Sequence, residues 1–259
     1  MASGQVTAKD EVYKSIHGFP TESKFAGTIK PLPDGVKGKT IGDGTSIGNV
    51  TEAGQVIKLS IERGRWKFLK FEDTLSLVDS AGEPFAGGAY LKDFSNVIGK
   101  SRIILFDKDD KPICLAVQEL VKINKVYTIY GLKPLLDGDA PAEKHDGIDF
   151  YPWFKVRDID DSHLDFRSML VWNGKNFQPM IRIYPNERPP TAYTGDLLPP
   201  NKSDNTVCDS ANKDNVYALM SKKSNIKERR WDVCIGPGSD AVAMIMLAAI
   251  MDDMVEWFA

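Results

Sequence analysis

The feature that most constrains this chain is an apolar run near its C-terminus. Residues 241–251 contain no polar side chain, and the run is eleven residues long by direct count. A helix that is apolar on every side must be buried on every side or lie in lipid. Eleven residues are far fewer than the roughly 20 that cross a bilayer. The run therefore predicts a buried core helix and no transmembrane span.

Helix boundary signals flank this run. Residues 237–240 read Pro-Gly-Ser-Asp, so Ser239 can cap the helix and Asp240 suits the positive end of its dipole. At the other end Asp252 and Asp253 oppose the dipole. We expect these two carboxylates to meet solvent or a salt-bridge partner, and a bound cation is the alternative.

Short β-rich segments separated by turn sequences occupy the chain from residue 55 onwards. Two of them, LSLVD-SAGEPF and IILFD-KDDKPI, repeat one pattern of apolar strand, Asp, turn, Pro and apolar strand. Further strands are expected at residues 151–156, 169–172, 177–184, 216–220 and 230–235. A chain of ten or more strands that ends in an apolar helix predicts an all-β protein. Its expected form is a closed antiparallel barrel around that helix, since closure removes the exposed edges.

The remaining segments predict how the domain is organised. Residues 1–50 have no sustained periodicity and are interpreted as a loosely ordered N-terminal arm, with a flexible Gly-rich loop at residues 42–48. Residues 51–259 form the predicted barrel domain. Loop insertions are expected near residues 134–150, which read as a long acidic loop, and near residues 185–215, which are rich in proline and polar residues.

Composition narrows the class of function. The 259 residues carry a formal net charge of -3, which argues against a dedicated nucleic-acid binder. The three cysteines lie far apart without a CxxC pair, which fits a reducing compartment. The first residues show no apolar segment of the secretory type. These features predict a cytoplasmic protein.

Two stretches resemble a known family. The run FEDTLSLVDSAGEPFAGG, continued by NVIGKSRIILFDKDDKPICLAVQELVKINKVYTIYG, is similar to the LURP-one-related proteins. The C-terminal GSDAVAMIMLAAIMDDMVE is similar to the end of that family, and phospholipid scramblases have a related apolar stretch followed by Asp. Both groups belong with the tubby C-terminal-like proteins. The resemblance covers roughly residues 55–259 and implies a barrel of about twelve strands around a central apolar helix.

The resemblance also implies candidate functions. Tubby proteins bind phosphoinositides, scramblases act on phospholipids with calcium, and LURP-one-related proteins are linked mainly to plant defence. The chain has no cysteine-rich palmitoylation tract and no Pro-rich tail of the scramblase kind. The leading expectation is a non-enzymatic protein that binds an anionic phospholipid, such as a phosphoinositide, peripherally at a membrane. The alternatives are a scaffold that binds another protein and a calcium-dependent, scramblase-like protein.

Motifs for enzymatic or metal chemistry are weak. HExxH is absent, the GxSxG letters occur at residues 44–48 inside the Gly-rich loop with no strand pattern before them, and the Gly38-Lys39-Thr40 segment lacks the rest of a P-loop. Residues 107–112 resemble a calcium loop but carry Pro where the loop needs Gly, so a hairpin turn is the better interpretation. The acidic residues around His163 are interpreted as a surface loop. We therefore predict no enzyme, no cofactor and no metal site.

Two basic clusters are the candidate lipid-headgroup site. Strand alternation would place Arg63, Arg65 and Lys67 on one face. The second cluster contains Lys222, Lys223, Lys227, Arg229 and Arg230, of which Lys222, Lys223, Arg229 and Arg230 are the candidate site residues. Neighbouring cations repel one another unless an anion binds between them. Arg can bind two phosphate oxygens at once. The alternative is a solvated charged face that Glu62, Glu72 or Glu228 balances.

Overall fold

The computed structural model describes ten stretches of the chain: residues 40–52, 55–63, 73–94, 101–119, 126–158, 167–171, 179–185, 204–209, 215–225 and 228–255. Two α-helices lie in these stretches, α1 at Ser46–Glu52 and α2 at Ala241–Val255. The strands are β1 Ile57–Arg63, β2 Asp73–Asp79, β3 Tyr90–Phe94, β4 Arg102–Phe106, β5 Pro112–Gln118, β6 Val126–Gly131, β7 Glu143–His145, β8 Ile148–Asp158, β9 Arg167–Val171, β10 Pro179–Pro185, β11 Asp204–Asp209, β12 Val216–Asn225 and β13 Glu228–Ile235. The predicted all-β class is confirmed.

The strands form one antiparallel sheet. Its order is β6-β5-β4-β3-β2-β1-β13-β12-β11-β10-β9-β8-β7, so the first strand in sequence pairs with the last. A further pairing joins β6 to β8 over the full length of β6. Strands therefore meet neighbours that lie as far as 178 positions away in the chain, as when Ile57 pairs with Ile235.

Helix α2 lies in the main hydrophobic core. Every residue from Ala241 to Met251 is buried, as the absence of a polar face predicted. The same core contains apolar side chains from β1–β6, β8 and β10–β13. The N-cap is Asp240 rather than Ser239, since the Asp240 carboxylate accepts a hydrogen bond from Ala243 N–H at 3.1 Å.

The repeated Asp pattern forms two turns of the same geometry. Asp79 Oδ1 accepts hydrogen bonds from the backbone N–H groups two and four residues later, and Asp107 Oδ1 does the same. The third residue after each Asp has a positive φ, 86° at Gly82 and 59° at Asp110. The hairpin interpretation of residues 107–112 is confirmed, because the Asp107 carboxylate closes a turn between β4 and β5.

The predicted acidic loop at residues 134–150 contains a hairpin that covers a second apolar cluster. Strand β7 pairs with the start of β8, and Phe150 is fully buried. Phe150 packs with Ile104, Phe106, Leu115 and Val117, which are not part of the main core. The long-loop interpretation was wrong for residues 143–150, because Ile148 and Phe150 are too few apolar residues among polar ones to show a periodic signal.

The predicted insertion at residues 185–215 contains part of the sheet. Strand β11 pairs with β10 on one side and β12 on the other. Its sequence, DNTVCD, is short and mostly polar, which is typical of a surface loop and gives no strand signal. Residues 186–203 and 210–214 of this predicted insertion fall beyond the stretches that the structure describes.

The end of the predicted N-terminal arm is ordered against the core. Residues 40–45 form a turn and α1 follows, with Ile47 fully buried. A Cβ atom on Gly48 would lie 2.0 Å from the Gly42 carbonyl oxygen, so the two backbone segments touch. The flexible-loop interpretation of residues 42–48 was therefore wrong. Residues 1–39 lie outside the described part of the chain.

Among the described residues, neither helix has the length and apolar character that a membrane span requires.

Candidate functional site

Arg63, the described residue of the first predicted basic cluster, lies beside the second cluster at one end of the sheet. Strand β13 lies between β1 and β12, and the register sets Arg63 of β1 opposite Arg229 of β13. Arg230 lies opposite both Glu62 of β1 and Lys223 of β12. Lys222 lies opposite Trp231. We call this end, defined by Arg63, Lys222, Lys223, Arg229 and Arg230, the basic end of the sheet.

Strand alternation divides the basic end into two sets of positions. Lys223 and Arg230 share one set with Glu62, because the three are direct register partners. Arg63 and Arg229 alternate with them along their strands and share the other set. The described backbone of β1 ends at Arg63, and the predicted site residues Arg65 and Lys67 lie outside the described residues.

Arg230 is the basic residue whose side-chain contacts define the site. Its Nε donates to Asp232 Oδ1 at 2.6 Å, and its Nη1 lies 3.2 Å from Glu62 Oε1. The Asp232 oxygen also accepts a hydrogen bond from Ser60 Oγ at 2.7 Å. Ser60 and Asp232 are buried, whereas the side chains of Arg230 and Glu62 are about two-fifths exposed. Glu62 therefore balances the charge of Arg230. This agrees with the alternative interpretation, a charged face in which Glu62 is one of the balancing residues.

Ser60 and Asp232 belong to this hydrogen-bonded group although neither lies in the predicted basic clusters. They are direct register partners on β1 and β13, 172 residues apart in the chain. One signal was available, since Asp232 is the only charged residue in the otherwise apolar WDVCI. A polar residue at a buried strand position needs a hydrogen-bond partner. The sequence could not identify Ser60 as that partner.

The C-terminal end of α2 also lies toward the basic end. Trp231 Nε1 donates to Asp252 Oδ1 at 2.9 Å, and the Tyr127 hydroxyl donates to Asp253 Oδ2. Both carboxylates are buried, so the solvent-exposed helix end was a wrong expectation. Burial, together with the charge of Asp253, raises the pKa of Tyr127 above its ordinary range, which keeps the hydroxyl protonated as a donor.

The N-terminal end of α2 lies at the opposite end of the sheet, where the turn at residues 40–45 contacts it. Asp240 Oδ2 accepts a hydrogen bond from Ile41 N–H at 2.7 Å. Burial, with a contribution from Asp43, raises the pKa of Asp240 to about 6, although the N–H groups of Ala243 and Ile41 act in the other direction. Asp240 therefore joins the N-terminal segment to the core helix at some electrostatic cost.

The ionisable groups give little indication of other chemistry. Cys114, Cys208 and Cys234 are buried, and burial raises the pKa of the Cys114 thiol, which disfavours the reactive thiolate. Within the described stretches no three His, Cys, Asp or Glu side chains are grouped as metal ligands. Most of the acidic cluster around His163 lies outside those stretches.

The fold and the site define a class: an all-β protein with a buried C-terminal helix and a cluster of basic residues at one end of its sheet. No model of a protein family matches the chain, and no curated protein matches it. The resemblance to the LURP-one-related and tubby-like proteins therefore rests on the residues quoted above.

Proposed function

We propose that the sheet closes through the β6–β8 pairing into a twelve-stranded barrel around α2, of the tubby-like, LURP-one-related type. Two observations support this proposal. Each of the twelve strands other than β7 has pairing partners on two sides, and α2 is buried among apolar side chains from eleven of them. A helix without a polar face is stable only where apolar groups surround it.

We propose that the protein binds anionic phospholipid headgroups at its basic end and has no enzymatic activity. The observation that carries this proposal is the meeting of two basic segments that are about 160 residues apart in sequence. Cations placed side by side raise the local potential, and Arg and Lys bind phosphate groups through charge-assisted hydrogen bonds. A peripheral location on cytoplasmic membranes follows from this proposal.

The geometry of Arg230 is suited to phosphate. Asp232 holds the guanidinium by its Nε, so the Nη groups keep a defined direction toward the surface. A fixed guanidinium loses less conformational entropy on binding than a free one. Lys223, opposite Arg230 in the register, is a second cation at the same set of positions.

Flotation with vesicles tests the proposal. The full chain is mixed with vesicles of graded phosphoinositide content, with and without calcium, at low and high salt. We expect binding that rises with phosphoinositide, falls with salt and does not need calcium. Binding only with calcium would support the scramblase-like alternative, and no binding to any vesicle would support the scaffold alternative.

Charge reversal tests the assigned residues. Arg63→Glu combined with Arg65→Glu should reduce vesicle binding at least about tenfold, because two attractive charges become repulsive. Lys108→Glu combined with Lys111→Glu is the matched control, since both lysines are exposed in the turn between β4 and β5, away from the basic end. Equal binding by both variants would contradict the site assignment.

A further inference from the structure

Arg230 contacts two carboxylates of different character. Asp232 is buried, and its Oδ1 accepts hydrogen bonds from both Arg230 and the fully buried Ser60. Glu62 is about two-fifths exposed and meets Arg230 through a single contact of 3.2 Å. A buried carboxylate with two donors is costly to separate from its partners, whereas an exposed ion pair is weak and exchanges with solvent anions.

The exposed Glu62 carboxylate occupies the part of Arg230 that a ligand would use. Glu62 Oε1 lies against Nη1, and the Nη groups are those that bind paired phosphate oxygens. An incoming anion must therefore displace Glu62 from Arg230 and then tolerate its negative charge nearby. Glu62 has a fixed place in β1, directly opposite Arg230, so it stays close after displacement.

We propose that Glu62 is an internal competitor that makes the basic end select phosphate monoesters over phosphodiesters. A monoester carries a charge of about -1.5 to -2 at neutral pH and three acceptor oxygens. A phosphodiester carries a single charge, as the Glu62 carboxylate does, so it gains little by replacing that carboxylate. The monoester gains enough to displace Glu62 and to engage Arg230 with more than one oxygen. This inference rests on the proposed anion-binding function.

Glu62→Gln tests the inference because it removes the competing charge and keeps the size of the side chain. The full chain is titrated with two sets of vesicles of equal surface charge. One set contains a phosphoinositide with monoester phosphates, and the other contains phosphatidylglycerol, which has only a phosphodiester. We expect the wild type to prefer the monoester vesicles. The variant should bind phosphatidylglycerol about 3–10-fold more tightly, with a smaller change for the phosphoinositide, so that the preference narrows.

Glu83→Gln is the matched control. It makes the same change in net charge, but Glu83 lies in the exposed turn that follows β2, at the opposite end from Arg63. The control should leave the preference for monoester vesicles unchanged.

Soluble inositol trisphosphate is added as a competitor in a separate experiment. Displacement of the protein from the vesicles would identify the monoester itself as the recognised group. If the competitor does not displace the protein, the protein recognises the monoester only when it is part of a membrane lipid.

The outcomes separate the two proposals. If the wild type binds vesicles and the Glu62→Gln variant shows the same preference for the monoester vesicles, the role of Glu62 is overturned. The binding function would remain intact. An equal gain with both vesicle types, or the same gain in Glu83→Gln, would also overturn the role of Glu62, because general charge would then explain the result. A wild type that binds neither vesicle type nor soluble inositol trisphosphate would overturn both proposals. Matching melting temperatures for the three proteins exclude misfolding as the cause.

Discussion

At the scale of single residues, two opposing effects set the pKa of Asp240. Its carboxylate accepts hydrogen bonds from Ile41 and Ala243, which favour the charged form. It is also buried, near Asp43 and Cys114, and burial favours the neutral form more strongly. The pKa of Asp240 consequently rises to about 6, so the folded protein binds a proton more readily here than the unfolded chain does.

The pH dependence of stability should reveal this difference. A folded pKa near 6 against an unfolded value of 3.8 means that Asp240 lowers the free energy of unfolding as pH rises from about 4 to 6. Asp240→Asn lacks this titration. The free energy of unfolding of the wild type minus that of the variant should therefore decrease over this range in urea titrations. An increase with pH would mean that the N–H donors outweigh burial.

The contact between Gly42 and Gly48 allows no side chain. A Cβ atom on Gly48 would lie 2.0 Å from a backbone oxygen, a clash that no side-chain rotation relieves. Gly48→Ala should lower the free energy of unfolding by about 3 kcal/mol in urea titration. Gly82→Ala is the control, because Gly82 has a φ of 86° but no atom within 4 Å of the place that a methyl group would occupy. Backbone strain alone should then lower the free energy of unfolding, by about 1 kcal/mol. Equal effects would contradict the close packing of residues 42–48.

At the scale of elements, α2 has no surface that tolerates a charge. Ala248 is fully buried in the third turn of the helix. Ala248→Asp should lower the free energy of unfolding by at least about 3 kcal/mol or prevent folding, because an unpaired carboxylate would replace a methyl group in the core. Ala142→Asp is the matched control at an exposed position before β7. An unchanged melting temperature for Ala248→Asp would contradict the buried helix.

The strands show which elements can be predicted locally. β4 and β5 were predicted within about one residue, because their apolar runs are bounded by an Asp turn whose hydrogen bonds all lie within five residues. β3 and β11 were missed, since the apolar residues of YLKDF do not alternate with polar ones and DNTVCD has only two apolar residues. These strands form because neighbouring strands supply hydrogen-bond partners on both sides.

At the scale of the whole molecule, amide exchange can test whether the sheet is closed. In an antiparallel sheet, alternate N–H groups of a strand point to its two neighbours. If β6 pairs with both β5 and β8, all its amides should exchange slowly in NMR experiments. β7 is the control, because its pairing in the described residues is with β8 alone, and one side of it should exchange quickly. Alternating fast and slow amides along β6 would contradict the closed barrel.

The sequence by itself determined the features that depend on neighbouring residues. The all-β class, the buried helix and the two Asp turns follow from periodicity, apolar runs and hydrogen bonds between residues a few positions apart. The basic segments were also visible, but as two separate clusters. Their charge was readable because Arg and Lys are ordinarily protonated at neutral pH.

Only the tertiary structure decided which distant groups meet. Strand register brings Arg63 to Arg229, Ser60 to Asp232 and Glu62 to Arg230, and the packing of α2 sets Tyr127 against Asp253. Each contact joins residues more than 120 positions apart. The free energy that selects such a register is summed over the whole sheet and its core, and a shift of one residue would exchange the buried and exposed sides of a strand. No local pattern contains that sum.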